Sequence, residues 1–169
     1  MKKLIIVLMC LILMATGVLA GCGKEEAAPA AKNIEGTLEE LMEKLYDNVD
    51  ESIQLPFVDN IELSEDMSFP DSGIVYYIGA RGIPFTEGIA SETVIGAVPH
   101  SLVLLRMADG ADIDAAKEQI RTSVDPMKWI CAGVTREEVI VDNLGNLLFM
   151  VLSPNGPALH EAFLLLAEV

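Results

Sequence analysis

Between Thr37 and Val49 the apolar residues Leu38, Leu41, Met42, Leu45 and Val49 recur at three- and four-residue intervals, which places them on one face of a helix. Thr37 followed three residues later by Glu40 makes a capping box, so a helix is expected over about 37–51. From Leu55 to Asp71 the pattern breaks around Pro56 and Pro70 and carries several acids, which suits an irregular or edge segment. Ile74 to Ile78 (IVYYI), bracketed by Gly73 and Gly79, is rich in β-branched and aromatic residues and is expected as a strand; Ser101 to Met107 (SLVLLRM) reads the same way. Pro84, Gly88 and Pro99 interrupt the stretch between them, which leaves a short helical turn or a strand open over Glu87 to Ala97.

Further along, Asp112 is placed to cap a helix whose stripe is Ile113, Ala116, Ile120 and Val124 and which should end near Ser123. Pro126 disfavours helical geometry at Asp125, which can cap a second short turn that aims Trp129 inward. Val139 to Asp142 and Leu147 to Leu152 flank Asn143, Leu144, Gly145 and Asn146, which is hairpin chemistry. Pro157 then starts a last helix with Leu159, Phe163 and Leu166 on its apolar face. The order predicts a single α+β domain over 37–169, with a mainly antiparallel sheet of four or more strands and about three packed helices. The runs at 101–107 and 147–152 are apolar almost without alternation, so both faces of those strands must be covered. Either helices pack on both faces, or one face keeps an apolar patch that meets a partner or a second copy.

The N-terminus follows different rules. Lys2 and Lys3 precede an unbroken apolar run from Leu4 to Ala15, shorter than the roughly 20 residues a spanning helix needs but suited to a signal-peptide core. It is followed by Leu19, Ala20, Gly21 and Cys22, and here the chain resembles bacterial lipoprotein signal peptides, whose lipobox ends in a cysteine that receives diacylglycerol before cleavage. Cys10 lacks the small residue before it, because Met9 stands there. The resemblance implies removal of 1–21 by cleavage between Gly21 and Cys22, lipidation of Cys22, and a location on the extracytoplasmic face of the cell membrane. Two acyl chains anchor a protein stably where one does not. Residues 22–36, small and polar, read as a flexible tether.

Charge narrows the partners. The chain holds 26 acidic and 11 basic residues, a net charge of -15, and loss of Lys2 and Lys3 with the signal segment leaves 9 bases against 26 acids, or -17. Nucleic acid is a poor partner for such a chain, and an anionic lipid surface would repel the domain it anchors. With Cys10 and Cys22 assigned, Cys131 is the one thiol of the folded part and is expected to be a buried, inert core residue with no disulfide.

Chemistry is harder to find. His100 and His160 are the only histidines and sit in no metal-binding spacing. A triad of His100 with Ser91 or Ser101 lacks a nucleophile elbow and an oxyanion-hole signature. Asp109, Asp112 and Asp114 are the weak metal candidates, since calcium needs several converging oxygens, but the glycine and glutamate of a calcium loop are missing and helix capping accounts for the same residues. No catalytic residue and no cofactor is therefore expected.

The segments HSLVLLRMADGADIDAAKEQI, DPMKWICAG and EEVIVDNLGNLLFMVLS give the chain its second resemblance, to small lipoproteins, mostly from Gram-positive anaerobes, that carry a single domain of unknown function behind a lipobox. That resemblance implies the plan of the protein and no active residue. A noncatalytic envelope module that binds another protein or a cell-wall component is the leading expectation. A small-molecule or ion-binding lipoprotein comes next, then an unrecognised enzyme, and last a structural coat role.

Overall fold

The computed structural model describes residues 33–64 and 73–168. Gly21 and Cys22, with the signal segment and most of the tether, lie outside the described residues. Residues 31–169 form one compact unit. Nine elements follow one another: α1 (Leu38–Asp47), β1 (Val58–Glu62), α2 (Ile74–Ile78), β2 (Phe85–Thr93), β3 (Ser101–Met107), α3 (Ile113–Ser123), β4 (Ile140–Leu144), β5 (Leu147–Leu152) and α4 (Gly156–Leu164), with short 3₁₀ turns at Arg136–Glu138 and Leu165–Glu168. The five strands form a single antiparallel sheet in the order β1-β2-β3-β5-β4. The domain is thus α+β, as expected.

The two apolar runs become the inner strands β3 and β5, and their alternation sends side chains to two separate cores. Leu102, Leu104, Leu147, Phe149 and Val151 pack under α1 and α4. Val103, Leu105, Leu148, Met150 and Leu152 pack under α2, α3 and Trp129. Helices therefore cover both faces, and the alternative of a bare sheet face awaiting a partner is not the one adopted. Phe149 stacks on Phe163 with ring centroids 4.6 Å apart. His160, on α4, is half-buried beside these rings and bonds Asp142 at 2.8 Å.

Helix starts and turns follow their local chemistry. Thr37 and Glu40 exchange both capping-box bonds at 3.2 Å. Asp112 accepts from the Ala115 amide at 3.0 Å and α3 ends at Ser123. In the β4–β5 hairpin, Gly145 takes the first central position at φ 56°, where a side chain would be strained.

The segment IVYYI is a correction, because it is a helix and not a strand. Ile74, Tyr77 and Ile78 are buried at helical spacing, and Gly79, in the left-handed conformation at φ 72°, closes the turn by donating to the Val75 carbonyl. Composition favoured a strand, but five residues between two glycines are short enough for packing against the end of α3 to decide. The stretch left open around 87–97 holds most of β2, the long second strand. The segment expected to be irregular or an edge supplies β1, which is an edge strand.

A Cβ at Gly79 would lie 2.4 Å from backbone atoms of Ser123 and Val124, in addition to its positive φ. Gly79→Ala should therefore destabilise the domain by about 2 kcal/mol, read as a lowered midpoint of urea unfolding. An unchanged midpoint would contradict this packing of α2 on α3.

Candidate functional site

The functional question concentrates at the end of the sheet where β2 turns into β3. There the apolar strands switch to polar residues on both faces: Ser91 and Glu92 close β2, His100 and Ser101 open β3, and Ser153 follows β5, all buried. Their alternation sends Ser91, His100 and Ser153 to the α1 side and Glu92 and Ser101 to the α3 side.

On the α1 side the Tyr46 hydroxyl donates to Ser91 Oγ at 2.8 Å and lies 2.9 Å from His100 Nε2, while His100 Nδ1 lies 3.3 Å from Ser153 Oγ. A neutral His100 with its proton on Nε2 satisfies the whole chain, donating to Tyr46 and accepting from Ser153. Burial, helped by the nearby Lys128 charge, pushes the His100 pKa down to about 4, and burial pushes Tyr46 up to about 12. Ser91 and His100 thus meet only through Tyr46, no carboxylate orients the imidazole, and no member of the drawn triad is open to a substrate.

On the α3 side the loop after Ser123 sends Lys128 and Trp129 back to the sheet. Lys128 Nζ bonds Glu92 Oε2 at 2.8 Å and Ser101 Oγ at 2.9 Å, and Trp129 Nε1 donates to Glu92 Oε1 at 2.7 Å. The ammonium lies 4.4 Å from the Tyr76 ring centroid and 5.1 Å from those of Tyr77 and Trp129. Burial lowers the Lys128 pKa against the opposing pull of Glu92. Asp125 accepts from the Met127 amide at 2.9 Å and forms the expected turn, with Trp129 pointing in.

Above this pair opens a cleft of about 470 Å³ lined by Tyr76, Trp129, Ile130, Cys131 and the β2–β3 turn. Its rim is apolar. Of the eight large apolar side chains exposed among the described residues, six belong to this end: Phe57, Val94, Ile95, Val98, Met127 and Ile130. The Val94 amide donates to the Phe57 carbonyl, which joins those two, and Gly96 brings the β2–β3 turn close to Trp129. Cys131 is exposed here, which corrects the expectation of a buried thiol. No regular element runs through 129–133, so Trp129 turns inward and Ala132 packs partly against the core, while Ile130 and Cys131 face out.

The opposite end of the sheet holds the point where the chain enters the domain. Arg106 donates to the carbonyls of Ile34 and Gly36 at 2.9 and 2.7 Å, and the Asn146 amide donates to Asn33, so residues 33–36 are bound rather than free tether. Asp112 serves as a cap, Asp114 pairs with Lys117, and among the described residues no three of His, Cys, Asp or Glu gather as a metal would require. The sequence reading assigned no role to Glu92, Lys128 or Tyr46. The signal that could have found the first was the abrupt polar pair ending each apolar strand. No family model, curated protein sequence or solved structure matches the chain.

Proposed function

We propose that the protein is a noncatalytic interaction module, anchored on the extracytoplasmic face of the membrane through lipidated Cys22, whose binding surface is the β2–β3 end of the sheet. The observation that carries this reading is that six exposed apolar side chains fall at one end of the sheet, with Ile130 among them lining the cleft, while residues 33–36 are bound at the other end. β3 alone spans about 20 Å between the two ends, so this surface lies well away from Asn33 within the domain. The second reading, a small-molecule site in the cleft, has less support, because the polar groups on its floor already bond one another.

The test is twofold. A photoreactive residue replacing Ile130 should give a discrete crosslinked product in intact cells, while the same residue at Leu164 should not. Cys22→Ser should abolish incorporation of labelled lipid, leaving the protein uncleaved or outside the diacylglycerol pathway. Equal crosslinking from both positions would overturn the binding surface, and continued labelling of the variant would overturn the anchor.

A further inference from the structure

We infer that the β2–β3 end docks a polypeptide that combines apolar side chains with Lys or Arg, an inference that rests on the interaction-module reading and names its partner class. Apart from Phe57 and Met127 the exposed apolar residues of this end are β-branched aliphatics, which suits the seating of apolar side chains. The cleft between Trp129, Tyr76 and Ile130 is the place for one anchoring side chain.

Charge selects the partner further. Asp50, Glu51 and Asp125 are exposed in the loops of this end and Asp59 is exposed on β1 opposite Glu92, whereas the base Lys128 has its side chain buried and paired with Glu92. Of the bases after α3, Arg121 holds Glu118 and the Val141 carbonyl, and Arg136 caps the end of α3 through the carbonyls of Arg121 and Val124; Lys44, in the last turn of α1, is an exposed base on the α1 side and is outnumbered by the acids named above. This end therefore combines exposed apolar groups with an excess of carboxylates. A second copy would bring like charges together, and an anionic bilayer would be repelled. A basic polypeptide gains from both features.

The probes are three labelled synthetic peptides with the same apolar positions and with Lys, Gln or Glu at the remaining ones, titrated against the domain from Ala31 onward, which forms one compact unit. The Lys peptide should bind at least about tenfold more tightly than the Gln peptide, and the advantage should shrink with added salt. The combined variant Asp50→Asn, Glu51→Gln, Asp59→Asn and Asp125→Asn should erase that advantage while leaving the unfolding midpoint unchanged, since Asn keeps the oxygens that cap the turns at Asp50 and Asp125. Ile95→Asp with Ile130→Asp should abolish binding of every peptide, whereas Leu164→Asp should not.

Equal affinity for all three peptides overturns the inference. So does binding only to anionic lipid vesicles, or self-association of the domain in sedimentation. Failure of every peptide to bind, while Ile130 still crosslinks in cells, overturns the basic-polypeptide partner and leaves the interaction module standing. Absence of that crosslink removes both.

Discussion

Acidification from neutrality to about pH 4 should remove about 3 kcal/mol of stability from the domain through His100 alone. The imidazole ordinarily titrates at 6.5, but burial, with Lys128 nearby, holds it neutral in the folded state down to about 4. Between those values the unfolded chain binds a proton that the folded chain refuses. The contribution is complete above pH 6.5, declines as the pH falls, and is gone below about 4. Tyr46, its hydrogen-bond partner, does the converse at the alkaline end: a phenol raised to about 12 opposes ionisation, so stability declines as the pH climbs above 10. The two groups bracket a window in which the chain from Tyr46 to Ser153 is neutral throughout.

Urea unfolding across this range, with His100→Gln as the comparison, isolates the effect from that of the many carboxylates. Gln retains a donor and an acceptor but cannot ionise, so its curve should be flatter by about 3 kcal/mol between pH 6.5 and 4. Parallel curves for the two proteins would show that His100 is not held neutral.

The same residues mark where sequence reasoning reached its limit. Thr37, Asp112, Gly145 and Pro157 act within a few residues of themselves, through caps and turns whose chemistry is local, and each does in the structure what its neighbours imply. The doubly apolar β3 and β5 likewise announced that both faces would be covered, because a buried strand face cannot be polar without partners. IVYYI could not be read this way, since its helical form depends on Gly79 fitting against the end of α3, some 45 residues on. Cys131 failed for a related reason: apolar composition says that a string is sheltered on average, and only the loop path decides which of its members turns in. The candidate site was the least legible part. Tyr46 reaches Ser91 and His100 across 45 and 54 residues, and Lys128 reaches Glu92 across 36. Such meetings leave only a faint trace, in polar residues that end apolar strands at matching heights.

That polar layer is also where the largest mutational effect is expected. Glu92→Gln should cost about 3–5 kcal/mol, because it strips a buried ammonium of its ion-pair partner and leaves only the more distant Asp125 charge acting on it, and Lys128→Met should cost a similar amount by leaving a buried carboxylate with the Trp129 N–H alone. The loss in Glu92→Gln should shrink as the pH rises, since burial already lowers the Lys128 pKa and the unpaired amine can shed its proton. Combining the two substitutions removes both charges, leaves the Gln oxygen to accept from Trp129, and lays the Met chain against Tyr76 and Tyr77. The double variant should then recover most of the stability, with a coupling of about 3 kcal/mol or more in the thermodynamic cycle. Trp129 is the sole tryptophan, so its fluorescence follows unfolding from inside the site. Additive losses would mean that the pair does not act as a unit. A double variant with native stability that no longer binds the Lys peptide would transfer Glu92 and Lys128 from scaffold to recognition, because the cleft above them would have kept its walls and lost only its charged floor.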